Sequence, residues 1–197
     1  MFFVKALCRS MILLEKCSYR GAAFILKNAF HRHGKNLIFD PRGEFSYRNI
    51  DVGDNVSIGG GAVLLASDSR IILGNNVMLG PNVTMVAGNH NISVIGKAMY
   101  DVHEKRPEDD QDIIIHDDVW ICAGAIILKG VQVGRGSVIG AGALVNTDVC
   151  PYTVVCGVPA HKVSTRFPSL DCVRQHEAML YTPDQRLPEP VLQMIYA

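Results

Sequence analysis

From Val52 to Val145 apolar side chains recur every sixth residue, often with glycine next in line and a small residue two places beyond it. Val133-Gly134, Ile139-Gly140 and Val145 give the clearest stretch, and the same phase runs back through Ile127, Ile121 and Ile115. Leu73-Gly74, Leu79-Gly80 and Met85 share it. Val52-Gly53, Ile58-Gly59 and Leu64 stand half a repeat out of step, so extra residues must bulge out between Ala66 and Arg70. A helix repeats its apolar face at about 3.6 residues and a strand at 2, so a period of six fits neither. It fits a short strand plus a tight turn, stacked as the coils of a parallel β-helix whose neighbouring coils bury each other's apolar residues. Glycine after the aliphatic residue meets a need for positive φ or for close approach of two backbones. Asp54-Asn55, Asn75-Asn76 and Asp117-Asp118 supply further turn residues.

The beat stops after His90. From Asn91 to Asp112 the chain is polar and dense in charge, with Lys97, Asp101, Glu104, Lys105, Arg106, Glu108, Asp109 and Asp110 around Pro107. A loop of that length is usually functional or disordered. The coils resume in phase at Ile113, so the loop is an excursion from an intact solenoid. Ahead of the repeats, residues 1 to about 35 read as helical: Phe3, Leu7, Met11, Leu14 and Ser18 lie at helical spacing, and Phe24, Leu26 and Phe30 mark a second helix. Lys5, Arg9, Glu15, Lys16, Arg20 and Lys27 interrupt the apolar residues. That excludes a spanning helix and argues against a signal peptide. The segment then either caps the open end of the solenoid or gives a weak association with a membrane surface. Residues 34–49 read as irregular or short strands, and Leu170 to Leu180 as a short helix before a tail punctuated by Pro183, Pro188 and Pro190. The expected organisation is a helical cap and lead-in over 1–49, a β-helix domain over 50–163 with its loop at 91–112, and a C-terminal helix and tail over 164–197.

Composition narrows the function. With 197 residues, 48% of them hydrophobic, and 19 basic against 19 acidic side chains, the chain suits one continuous core and lacks the basic excess of a nucleic-acid binder. Its six cysteines form no CxxC pair, so they read as reduced thiols of a cytoplasmic protein and not as a metal site. His90, in the run Gly88-Asn89-His90-Asn91, sits where the flexible loop leaves the ordered scaffold. Neutral imidazole is the usual general base near neutral pH, although position alone does not make this histidine catalytic.

Three segments carry a resemblance: GPNVTMVAGNH (Gly80 to His90), DDVWICAGAIILKGVQVGRGSVIGAGALV (Asp117 to Val145) and CGVPAHKV (Cys156 to Val163). Together, across about residues 50–167, they resemble the hexapeptide-repeat O-acetyltransferases of the galactoside, maltose and polysaccharide-modifying type. The resemblance implies a mainly β fold: a left-handed parallel β-helix of triangular section, assembled as a homotrimer with active sites between subunits. The hand comes from the resemblance, because crossover connections otherwise favour the right-handed form. Acetyl-CoA is the implied co-substrate, with no metal. His90 would take the proton from a sugar hydroxyl as its oxygen attacks the thioester, a direct transfer that places Cys122 and Cys150 outside the chemistry. Asp68, Met99 and Tyr100 fall where the family contacts the acceptor, and Asn82 and Asn89 flank the histidine. Read from the residues alone, Asp68 serves equally well as a turn residue, and asparagines such as Asn82 and Asn89 more often form turns or stack as ladders inside the coil. Trp120, Ala123, Ala141 and Asn146 match cofactor-side positions, and His161, Lys162 and Arg166 would meet CoA phosphates. His116 and Cys122 stand where the family usually has glycine, which puts local turn geometry in doubt.

A γ-class carbonic anhydrase on the same fold needs three histidines, and Ile121 occupies the third position. A non-catalytic assembly subunit, or an acetyltransferase for serine or an antibiotic, is the other alternative. The N-terminal helices and charged loop look more like enzymes that decorate capsule, O-antigen or exopolysaccharide precursors, so a nucleotide-linked or lipid-linked sugar is the favoured acceptor.

Overall fold

The structure, a computed structural model, describes residues 2–196, and the side chains of Phe2, Phe3 and Ala6 lie outside what it describes. Helix α1 (Phe2–Leu26) leads into a stack of five coils, each made of three short strands. The first holds β1 (Arg32–His33), β2 (Ile38–Phe39) and β3 (Glu44–Phe45). The second holds β4 (Ile50–Val52), β5 (Ser57–Ile58) and β6 (Val63–Leu65), and the third β7 (Ile71–Leu73), β8 (Met78–Leu79) and β9 (Thr84–Val86). After the long loop come β10 (Ile113–Ile115), β11 (Trp120–Ile121) and β12 (Ile126–Leu128), then β13 (Gln132–Val133), β14 (Val138–Ile139) and β15 (Leu144–Val145). Strand β16 (Thr153–Cys156) adds one more parallel rung, and β17 (His161–Thr165) folds back antiparallel to it. Helices α2 (Leu170–Leu180) and α3 (Glu189–Met194) close that end.

Every third strand pairs in parallel, giving three sheets and hence a coil with three faces and three corners. Face A stacks β1, β4, β7, β10 and β13; face B runs from β2 to β17 through β5, β8, β11, β14 and β16; face C stacks β3, β6, β9, β12 and β15. The residues of the six-residue beat point inward in three columns. Leu73, Ile115 and Val133 belong to face A, Leu79, Ile121 and Ile139 to face B, and Met85, Ile127 and Val145 to face C, all buried. Each such side chain contributes roughly 1.5–3 kcal/mol by leaving water, so the repeat itself is the main stabilising term.

The glycines resolve the two alternatives open at the sequence level. Those that follow the aliphatic residue are there for close approach: a Cβ on Gly74 would lie 2.5 Å from Asp117 Oδ1 and 2.9 Å from the Asp117 nitrogen. Positive φ falls two residues later, at Asn55 (58°), Asn76 (56°) and Gly142 (66°), where asparagine and glycine tolerate it. At the A-to-B corner the asparagines also stack, with Asn36 Nδ2 donating to Asn55 Oδ1 and Asn55 Nδ2 to Asn76 Oδ1, each at 2.9 Å. His116 and Cys122 do not disturb the turns, since Asp118 (59°) and Gly124 (67°) keep the same corner conformation.

Two expectations are corrected. Residues 34–49, expected as irregular or short strands leading into the solenoid, form most of a full coil ahead of residue 50, so the repeat starts one coil earlier than expected. Its core is filled by aromatic rings in place of aliphatic side chains: Phe39 and Phe45 pack with Phe30 and Tyr47, and the centroids of Phe30 and Phe39 are 5.3 Å apart. The second N-terminal helix is absent among the described residues. Helix α1 runs unbroken to Leu26, a single 3-10 turn (Lys27–Ala29) follows, and Phe30 leaves with extended ψ because its ring is needed to plug the first coil. That aromatic plug closes the N-terminal end of the solenoid, while α1 is mostly exposed to solvent. At the other end the proline-rich tail folds into α3, with Pro188 just before it, so that Leu192 and Ile195 pack beside Tyr152 and Val173.

Candidate active site

His90 and Asp68 occupy the same corner of the triangle, between faces C and A, one coil apart. The half-step slip noted in the sequence is real: Ile50 pairs with Ile71, whereas Ile114 pairs with Gln132, a shorter coil. The extra residues put Ser67 and Asp68 in solvent while Ser69 turns inward and donates to the Ala87 carbonyl at 2.8 Å. The excursion loop leaves from the next coil. Its two feet are zipped by a bridge between Gly88 and Asp110 and by hydrogen bonds from Asn89 N to Asp109 O (2.8 Å) and from Gln111 N to Ala87 O (3.0 Å). That closure explains why the repeat resumes in phase.

Between its feet the loop is ordered by its own charges. Arg106 donates to Asp109 Oδ1 at 2.8 Å and pairs with Glu108 at 3.3 Å. The Arg106 side chain and backbone amide together pull the Asp109 carboxyl down to about 2. Lys105 Nζ bridges from Asp110 Oδ2 (2.5 Å) to Ser67 Oγ (2.7 Å), tying the loop to the Asp68 corner. Burial works to raise the Asp110 pKa, but the contacts with Lys105 and Ser67 outweigh it and hold the carboxyl below its usual range. Its other oxygen, Oδ1, is buried without a hydrogen-bond partner.

His90 lies where two clefts meet. One, of about 710 Å³, runs under the loop and is lined by Asn89, His90, Ile92, Met99, Tyr100, Arg106, Glu108, Asp109, Gln111 and Lys129. The other, of about 320 Å³, shares Asn89 and His90 with the first and is lined also by Ser46, Ala66, Ser67 and Lys105. Met99 and Tyr100 form a 3-10 turn above the larger cleft, and Tyr100 is 91% exposed, an aromatic face without cover in the single chain. Lys129 donates to the Glu108 carbonyl. The wall of the larger cleft therefore carries Arg106 and Lys129 against Glu108 and Asp109, in balance.

The remaining predicted residues lie elsewhere on the coil. Asn82 is at the B-to-C corner with φ 57°, so it acts as a turn residue on the same coil as His90 but one corner earlier, and does not line either cleft. Ala123 and Ala141 are exposed at that same corner, on adjacent coils linked by the hydrogen bond from Gly142 N to Ala123 O (2.9 Å). Trp120, 48% exposed, stands on face B in the outward row with Met78 and Val138. Asn146 is exposed just after β15, and His161 and Lys162 line a small cavity of about 150 Å³ with Thr147, Asp148 and Cys150. Two of the basic residues are already engaged: Lys162 Nζ donates to the Ile195 carbonyl at 2.7 Å, and Arg166 pairs with Asp118 at 2.5 Å while lying over Phe167. The one chain thus brings Asp68, Asn89, His90, Met99 and Tyr100 to one corner and Ala123 and Ala141 to another. Cys122 lies with the second group, and burial raises its thiol pKa.

Sequence reasoning missed the balanced wall. Lys129 was within reach of it, since it follows Ile127 by the same two residues that separate Ala87 from Met85 and Ala66 from Leu64. The pairings of Lys105, Arg106 and Asp109 had no periodic signal to betray them.

The fold recurs among known acetyltransferases. Residues 112–147 match the family described as bacterial transferase hexapeptide (six repeats). The galactoside O-acetyltransferase of Lactococcus lactis subsp. lactis is 34% identical over 161 residues, 76% of this chain and 73% of that one. Among solved structures, a hexapeptide-repeat acetyltransferase from Vibrio cholerae O1 biovar eltor, complexed with acetyl-coenzyme A, superposes with a TM-score of 0.66 at 27% identity, covering 75% of this chain and 78% of its own. A maltose O-acetyltransferase from Clostridium difficile 630 gives 0.63 at 30% identity, covering 75% of each chain. The fold is accordingly a left-handed parallel β-helix, mainly β, and the chain belongs to the hexapeptide-repeat O-acetyltransferase family.

Proposed function

We propose that the protein transfers the acetyl group of acetyl-CoA to a hydroxyl of a sugar precursor of capsule, O-antigen or exopolysaccharide, with His90 as general base. The observation that carries this reading is the position of His90 at the meeting point of two clefts, exposed at the foot of the charged loop. A hydroxyl of high pKa needs its proton removed as the new bond forms. His90 takes that proton, the oxygen attacks the thioester carbonyl carbon, the C–S bond breaks, and the CoA sulfur leaves with the proton returned from the imidazolium. The apolar edge supplied by Ile92, Met99 and Tyr100 suits the C–H face of a pyranose, and Asp68 and Asn89 supply polar groups for its hydroxyls. A half-buried Cys122 at another corner, its thiol pKa raised by desolvation, is a poor candidate for a covalent acyl-enzyme route.

The separation of His90 from Ala123 and Ala141 supports a homotrimer in which the acceptor corner of one copy faces the cofactor corner of the next. Trp120 and Asn146 lie on the cofactor side in that arrangement, and His161 is the basic residue left to meet CoA phosphate. The test measures thiol release with acetyl-CoA and a panel of nucleotide-linked and lipid-linked sugars. His90→Ala keeps the thermal midpoint and the assembly mass and loses about 10² or more of the turnover. Mixing His90→Ala with Ala141→Trp subunits restores part of the activity if sites are shared between copies. Undiminished turnover in His90→Ala overturns the assignment, and acetylation of an amino acid or antibiotic but no sugar overturns the acceptor class.

A further inference from the structure

Helix α1 has a use that the catalytic reading does not absorb. Only its last turns touch the solenoid: Ala23 and Leu26 pack against the core, and Arg42 donates to Tyr19 Oη at 3.0 Å while approaching Glu15 at 3.8 Å. The preceding turns carry a row of uncovered apolar side chains. Val4, Leu7, Met11 and Leu14, with Ile25 continuing the row in the last turn, are each between 54% and 71% exposed. At about 100° per residue they share one face of the helix, and Lys5, Arg9, Lys16 and Arg20 fall within an arc of about 60° on the opposite face, extended by Lys27 in the following turn. Glu15 is the one acid in this stretch, and its carboxylate is taken up by Tyr19 and Arg42 of its own chain. Basic and acidic residues are equal in number over the whole chain, so the helix is basic and the remainder is net acidic.

We propose that α1 is an interfacial helix that docks the protein on a bilayer rich in anionic phospholipid. An amphipathic helix with a basic polar face lies in the headgroup plane with its apolar face sunk about 5–10 Å. A helix about 10–12 Å across sunk by that depth keeps its opposite face within about 7 Å of the lipid surface, inside the Debye length of about 10 Å at 0.1 M salt, so the cations feel the anionic leaflet. The alternative cover, the same helix of a second copy, fits less well. A coiled-coil seam through Val4, Leu7, Met11 and Leu14 continues into Ser18 and Gly21, which breaks it after two heptads. Met11, Ile12, Leu13 and Leu14 surround the helix for a full turn, each at least half exposed, and a seam covers only part of that ring. Bundled copies would also bring basic helices together with no free acid to pair them. No described helix is long and apolar enough to cross a membrane, so the contact is with the surface.

Flotation of the full-length protein with vesicles tests this without reading catalysis. The protein floats with phosphatidylcholine vesicles containing a quarter phosphatidylglycerol in 0.1 M NaCl, and binds about tenfold or more weakly to pure phosphatidylcholine or in 0.5 M NaCl. Arg9→Gln with Lys16→Gln weakens anionic binding by about tenfold or more. Met11→Glu with Leu14→Glu abolishes it, with unchanged thermal midpoint and unchanged mass by light scattering. Failure of the native protein to float with anionic vesicles, or full binding by the Met11→Glu/Leu14→Glu protein, overturns the proposal. A fall in mass in that variant identifies a second copy as the cover and overturns it equally.

Discussion

Tyr100 shows how little a single residue type reveals until its surroundings are known. In the sequence it is one aromatic among many loop residues; in the fold it is the uncovered ring over the larger cleft, opposite His90. If the proposed function holds, an aromatic wall here contributes acceptor binding without joining the proton transfer, so Tyr100→Ala should raise the acceptor KM by about tenfold and leave kcat nearly unchanged, as expected for lost uniform binding. Steady-state kinetics on the best acceptor checks this, and a fall in kcat alone would contradict it. Asn82 makes the opposite point. Its place close before His90 suggested a shared task, yet six residues carry the chain round a corner of the triangle, and Asn82 ends as a positive-φ turn residue.

Two elements join the site to the rest of the molecule. The excursion loop is held by a latch of Lys105, Asp110 and Ser67, in which the Asp110 side chain is only 6% exposed. Lys105→Met leaves that carboxylate buried without its cation, so the loop should open. Limited proteolysis within 91–112 should accelerate severalfold while the cooperative melt of the coils stays near the native midpoint. The second element is the C-terminal cap. Glu177 is buried on α2, accepts from Tyr152 Oη at 2.6 Å and from Leu187 N at 3.0 Å, and pairs with Arg135 at 3.1 Å. Burial and the hydrogen bond to Glu177 keep the Tyr152 phenol protonated well beyond its ordinary range. Removing one member of such a pair leaves an uncompensated buried charge, and Glu177→Ala should cost about 3–5 kcal/mol in denaturant unfolding. A cost near zero would show that the cap is not coupled to the solenoid.

At the scale of the whole molecule, acid stability follows from two buried carboxylates, one on the second coil and one in the excursion loop. Asp51 is buried, which by itself would raise its pKa, but His31, Arg32 and Arg70 donate to it and hold it below the usual range; Asp109 is held at about 2 by Arg106. Groups depressed in the folded state contribute stability that is complete above the unfolded-chain value near 3.9 and lost as pH falls through the folded value. The thermal midpoint should therefore fall between about pH 4 and pH 2, and Asp51→Asn should flatten part of that slope. The architecture itself was legible in the sequence, because a translational repeat writes every coil's buried column into a local spacing of six residues. The extra coil at the N-terminal end escaped notice because Phe39 and Phe45 fill it with rings instead of aliphatic residues. The candidate base was legible as the point where the rhythm breaks. What the sequence by itself determined was thus the solenoid, its interruption and His90 at the edge. Only the tertiary structure decided which corner each residue occupies, how the loop's charges neutralise one another, and that α1 stands apart with its apolar face uncovered. Those outcomes depend on contacts between residues tens of positions apart, and a short period carries no record of them.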